Sequence, residues 1–236
     1  MAAGRDEFLA WLAAEFPDVI AGSPRPRLLS GAVRQSMNAS QQREQAIRVA
    51  RTDFGEALGL AHAVADPWYR CQALAWVARF APEDHVASVA RQATDSAAQN
   101  NDFYLSSACL AWPIRALVER GRTVEARDLL TDALAATRRI EHPVRRLSAL
   151  RLIVEAAWPL GRRTRESLAE TLAEACRQTH SWRVGAILHD LALMLAHEDQ
   201  RSAERYAAFL REGPDRRRCL RALEQGRCLS PRPFFW

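Results

Sequence analysis

The chain contains no lysine: all 33 side chains in its Lys and Arg count are arginine. That excludes a Schiff-base lysine, a pyridoxal phosphate anchor and the lysine of a P-loop. A GC-rich bacterial genome, whose codons favour Arg and Ala, accounts for the bias; arginine selected for forked contacts to carboxylate or phosphate is the functional alternative. Glycine is scarce, ten residues with no G-x-G-x-x-G, Walker spacing or G-x-S-x-G elbow, which removes the common phosphate loops and the hydrolase nucleophile turn. Cys71, Cys109, Cys176, Cys219 and Cys228 never stand as C-x-x-C. Neither a disulfide framework nor a zinc knuckle is expected, and buried reduced thiols are.

Long apolar runs are missing too, none approaching the ~20 residues that cross a bilayer. The opening MAAGRDEFLAWLAAEF carries acids inside its apolar stretch and lacks a small-residue cleavage site. It suits an amphipathic helix and not a signal peptide, so a cytoplasmic protein without membrane attachment is expected. Basic charge is also absent from most of the chain. Residues 211–236 hold seven Arg against three acids, +4 of the net +5, and the remaining 210 residues carry 26 Arg against 25 acids. A nucleic-acid groove needs basic residues along its length, so that partner is disfavoured. His189 and His197, eight apart, would be roughly 12 Å apart along one helix, too far for a shared zinc; no metal or cofactor is expected.

What the chain does have is a period. Ala73-Leu74-Ala75, Cys109-Leu110-Ala111, Ala149-Leu150-Arg151 and Ile187-Leu188-His189 follow one another at spacings of 36, 40 and 38 residues. A period of this size marks stacked supersecondary units. Asp66-Pro67, His142-Pro143 and Thr179-His180-Ser181 are placed to start helices, and Gly121 and Gly161 to end them in the left-handed C′ conformation. Second helices follow with apolar spacings of three and four: Ala126, Leu129, Leu130, Ala133, Leu134, then Leu168, Leu172, Ala175, Cys176. Asp66, Asp102, His142 and His180 share one aligned position at these starts; they cap helices or, in neighbouring pairs, share a water or anion.

Gly121 to Leu134, GRTVEARDLLTDAL, resembles the second half of a tetratricopeptide repeat, with Gly121, Ala126 and Ala133 in the family's small-residue positions. The unit is longer than the family's about 34 residues. Asp66-Pro67-Trp68-Tyr69-Arg70 is similar to the recurrent D-P-x-x-R of other helical arrays, and the likeness spans about residues 53–210. The expected fold is all-α: a right-handed α-solenoid of stacked antiparallel helix hairpins repeating every 36–40 residues. Residues 1–52 form N-terminal helices around the Pro-rich loop Pro17 to Arg27, with helices at 28–37 and 41–52. Residues 53–212 form the array, and 213–236 a capping helix and an Arg-rich, aromatic tail; the sequence pattern predicts one continuous domain.

The hexapeptides LAWVAR and LAWPIR, Leu74 to Arg79 and Leu110 to Arg115, mark one helix stripe. Gln72, Trp76 and Arg79 lie within about 60° of one another and Leu74 nearly opposite. The next unit has Ala108, Trp112 and Arg115; the third Ser148, Leu152 and Glu155; the fourth Ala186, Asp190 and Leu193. Leucine never changes in its column, as a core position behaves, whereas the stripe changes type and charge sign. In tetratricopeptide-like arrays the first helices line the concave face. The resemblance therefore implies a peptide groove of Gln72, Trp76, Arg79, Trp112, Arg115, Arg151 and Glu155, gripping by aromatic contact and carboxylate pairing. The alternative is that the tryptophans pack between adjacent helices. Pro113 forces a kink inside its helix. Phe234, Phe235 and Trp236 either cover the last helix pair or dock elsewhere as an apolar peptide.

A non-catalytic scaffold or adaptor binding a protein or peptide is the leading expectation. Its rival is a nucleic-acid-binding protein like the HEAT-like DNA glycosylases, with Trp76, Trp112 and Arg115 on the nucleic acid and Asp102 or Glu155 as the acid. A third is a structural module in which the tail of one chain joins the end of another into an oligomer.

Overall fold

In the computed structural model, residues 38–235 are described, and among them every regular element is helical. In order these are α1 (Ala39–Val49), α2 (Phe54–His62), α3 (Pro67–Phe80), α4 (Val86–Ala98), α5 (Phe103–Cys109), α6 (Ala111–Glu119), α7 (Thr123–Thr137), α8 (Pro143–Ala157), α9 (Arg162–Arg177), α10 (Arg183–Leu195), α11 (Gln200–Ala207) and α12 (Pro214–Glu224). A 3₁₀ turn, Trp158–Leu160, follows α8. The N-terminal helix, the Pro17 to Arg27 loop, the helix at 28–37 and Trp236 lie outside the described residues.

The helix starts follow from short polar side chains. Asp66 accepts the N–H groups of Trp68 and Tyr69 ahead of Pro67, and Asp102 accepts that of Leu105. Such a cap contributes about 1 kcal/mol. His142 makes no such bond, and Ser181 Oγ accepts from the Arg183 N–H at 3.3 Å. The aligned column thus divides into two caps and two histidines that do not cap. Asp102 also takes the Arg145 guanidinium at 3.0 Å, tying the start of α5 to α8.

The arginine of D-P-x-x-R has a structural task. Arg70 donates to the Val64 carbonyl at 2.9 Å, six residues back, and to Ser96 on α4 at 3.3 Å. At the start of α8, Arg146 reaches the Ile140 carbonyl at 2.9 Å by the same six-residue step. Each arginine thereby satisfies a loop carbonyl that no helix pairs.

Pro113 divides its helix instead of bending it. Lacking an N–H, it gives the Cys109 carbonyl no i+4 donor, and α5 ends at Cys109 with α6 beginning two residues later. The freed carbonyl accepts the Cys71 thiol of α3 at 3.5 Å. Gly121, at φ +69°, closes α6 in a Schellman turn, with Arg122 N–H on Leu117 O at 2.9 Å; Gly226 closes α12 the same way. Gly161 departs from the expectation. At φ 108° and ψ 163° it is not left-handed helical; the 3₁₀ turn at Trp158-Pro159-Leu160 has already ended α8, and Gly161 leads into α9.

Leu74, Leu110, Leu150 and Leu188 are all buried, each on a different helix or at its cap. Burial of such a side chain contributes roughly 1.5–3 kcal/mol. α3 packs against α4 and α6, α6 against α7 and α8, α8 against α9, and α10 against α9, α11 and α12. No helix among the described residues is long and apolar enough to cross a membrane.

Candidate functional site

At least one stripe residue on each of α3, α6, α8 and α10 is met by one peptide, residues 229–235 of the same chain. The Leu229 N–H donates to the Leu193 carbonyl at 3.1 Å. That carbonyl belongs to the last turn of α10, where no further helical N–H exists to pair with it. Arg232 Nε donates to Glu155 Oε2 on α8 at 2.7 Å. Phe234 stands edge-on to Trp112 on α6, ring centroids 5.5 Å apart, and Phe235 edge-on to Trp76 on α3 at 5.2 Å. Reading along the tail, one residue after another meets a stripe position of α10, α8, α6 and α3 in turn.

The aromatic end is built mostly from ring faces. Trp68 also packs edge-on to Trp112, centroids 5.5 Å apart, so Phe234 completes a cluster of three rings and joins the buried core. The Arg79 guanidinium lies 4.2 Å from the Phe235 ring centre and 5.0 Å from that of Trp76, a cation–π contact on both sides of the seat. Trp76 retains only 7% of its exposure, and its indole N–H has no acceptor among the described residues. A buried donor left so costs about 1–3 kcal/mol. A cleft of about 210 Å³ remains beside the rings, lined by Trp76, Gln72, Arg43 and both tail phenylalanines.

The two arginines read from the sequence as a grip for a ligand carboxylate have an acidic partner within the chain. Arg79 and Arg115 both donate to Glu119, at 2.6 and 2.7 Å, so the two stripe arginines share one carboxylate of α6. In the contact with residues 229–235 the helices supply the acid, Glu155, and the peptide supplies the arginine. Glu155 is 3% exposed, and its other oxygen accepts Arg151 Nε at 2.8 Å, while Arg151 also pairs with Asp190 on α10.

Each residue read from the sequence can now be placed. Gln72 is buried, and its Oε1 accepts Arg43 Nη1 at 2.7 Å. Trp76, Arg79, Trp112 and Glu155 touch the tail directly; Arg115 and Arg151 act one step behind it. Phe234 and Phe235 do not cover the last helix pair but run back to α6 and α3; Trp236 lies outside the described residues. Glu119, Trp68 and Arg43 escaped the sequence reading. Glu119 was within reach of it, four residues after Arg115 on one helix face; Arg43 comes from α1, outside any repeat.

No family model matches the chain, and no curated protein matches its sequence. Similarity is found in structure alone. A crystal structure of Ton1535 from Thermococcus onnurineus NA1 superposes with a TM-score of 0.56 at 15% identity, over 78% of this chain and 53% of that one. The chain therefore spans about half the length of that protein, and the likeness concerns the helical fold.

Among the described residues no group of three or more His, Cys, Asp or Glu is arranged to hold a metal ion, and His197 lies beyond the end of α10, off the helix of His189. Burial raises the Cys109 thiol well above its ordinary value and Cys176 to about 12. A second cleft, about 590 Å³, lies off the stripe between α9, α10, α12 and the segment after α11, lined by His180, Trp182, Leu188, Arg211 and Asp215.

Proposed function

We infer that the chain is a non-catalytic scaffold or adaptor, a right-handed, tetratricopeptide-like α-solenoid whose α3, α6, α8 and α10 line a groove for an extended protein segment. One observation carries this reading: a seven-residue peptide lies across the same stripe of four helices, which offer it three chemistries between them. The groove presents a main-chain carbonyl, then a carboxylate, then two indoles. Peptide-binding surfaces draw most of their affinity from a few aromatic and arginine contacts of this kind.

The test is affinity capture from the native host with the intact chain and with Trp112→Ala/Arg115→Ala. Helicity by circular dichroism stays unchanged and the captured protein set loses its main component. An identical set from both proteins counts against the groove. Salt-dependent retention of duplex DNA by the intact chain alone would move support to the nucleic-acid reading.

A further inference from the structure

Residues 229–235 occupy the surface that a partner would need. Resting on the groove reading above, we propose that this tail is a tethered competitor, and that the partner is a protein with an extended segment of pattern Arg-x-aromatic-aromatic that displaces it.

The contacts themselves define that pattern. Pro231 and Pro233 offer no N–H, and the one main-chain hydrogen bond between tail and helices among the described residues is Leu229 to Leu193. Everything beyond Leu229 is held by side chains: Arg232 on Glu155, Phe234 on Trp112, Phe235 on Trp76 and under Arg79. Recognition by side chains alone is transferable to any extended segment that repeats their spacing. Glu155 sets the sign of the charge. Nearly buried, it uses one oxygen on Arg151 and the other on the tail arginine, so an emptied groove exposes a carboxylate oxygen that a guanidinium is shaped to pair. The two indoles set the aromatic positions, and the Arg79 face favours an electron-rich ring over an aliphatic one.

The tail is also poorly secured for a permanent closure. Arg232 is more than half exposed, Phe235 is half-buried, and the indole N–H under Phe235 has no acceptor among the described residues. Its advantage is the tether. A segment joined to its site by a short link acts at an effective concentration on the order of millimolar, which holds the groove shut against weak peptides and yields to a partner with more contacts.

The probe is a labelled Ser-Pro-Arg-Pro-Phe-Phe-Trp peptide, followed by fluorescence anisotropy against two full-length proteins. One is the intact chain; the other carries Arg232→Ala, Phe234→Ala and Phe235→Ala, which disarm the tail. The disarmed chain binds the peptide at least about 10-fold more tightly than the intact one, and a peptide with Glu in place of Arg binds it about 10-fold more weakly. Arg232→Glu, which repels Glu155 and spares the aromatic seats, opens the groove independently if the triple variant loses helicity. Equal binding to intact and disarmed chains overturns the competitor. Equal binding of the Arg and Glu peptides overturns the pattern and leaves the groove reading standing. No binding of either peptide by a fully helical disarmed chain removes both. A dimer of the intact chain in sedimentation that becomes monomeric on disarming makes a second copy the occupant and overturns the separate partner.

Discussion

Trp76 and Glu155 lie in the same stripe, are both almost wholly buried, and are both covered by the same seven residues, yet they are held in different ways. Trp76 is enclosed by ring faces and the Arg79 guanidinium, contacts that depend on area. Glu155 is enclosed by two guanidinium groups, Arg151 from its own helix and Arg232 from the tail, contacts that depend on charge. The aromatic end therefore supplies most of the tail's docking energy, and the charged end fixes which residue docks where. Area is insensitive to salt and pH, whereas an exposed charge pair is screened within a Debye length of about 8 Å at physiological salt.

The largest expected effect breaks the aromatic end. Trp76→Ala removes a buried ring from α3 and opens a cavity, costing about 3 kcal/mol of folding stability, read as a lower urea midpoint. Phe234→Ala loses less although Phe234 is equally buried. Its cost is capped by the docking energy of the tail, because the tail detaches before the helices unfold. Equal losses for the two variants would mean that tail and helices form one cooperative unit.

The contrast also explains what the sequence could reveal. The buried leucine column, the caps at Asp66 and Asp102, the break at Pro113 and the left-handed Gly121 are local or periodic, and each follows from a residue type at a fixed spacing. Gly161 was misread because its environment is decided by Pro159 two residues earlier, which closes α8 in a 3₁₀ turn. The stripe and the tail were each legible alone. Their meeting was not, since Arg232 finds Glu155 across 77 residues of sequence and nothing periodic links them. The charge contacts were lost for a related reason: Glu119, which Arg79 shares with Arg115, lies forty residues on from Arg79.

A middle-sized effect sharpens the charged end. Arg151→Ala leaves Glu155 nearly buried with Arg232 as its remaining ion-pair partner and takes the guanidinium from Asp190, a loss of about 2 kcal/mol for a charged hydrogen bond. Arg232→Ala costs roughly 0.5 kcal/mol, because the side chain is half exposed and Glu155 keeps Arg151. In the double variant the losses exceed their sum, since Glu155 then has neither partner. Urea midpoints of the four proteins complete the cycle; strict additivity would mean that the two arginines do not share the carboxylate.

The smallest effect separates area from charge by pH. Arg120 and Arg122 hold the Glu83 carboxyl below its ordinary value of 4.5, and Arg177, through its hydrogen bond first, does the same for Glu170. Because these values are depressed in the folded chain, the stability they contribute is present above the ordinary carboxylate value and is lost as pH falls through the lower folded values. Acidification from pH 7 to below about 4 therefore lowers the urea midpoint of the intact chain. Phenylalanine and tryptophan carry no titrating group in that window, so the difference in midpoint between the intact chain and Phe234→Ala/Phe235→Ala stays constant across it. A difference that shrinks in parallel with the acid loss would show that the aromatic seats depend on the ion pairs of the helices, and that area and charge are not separable in this chain.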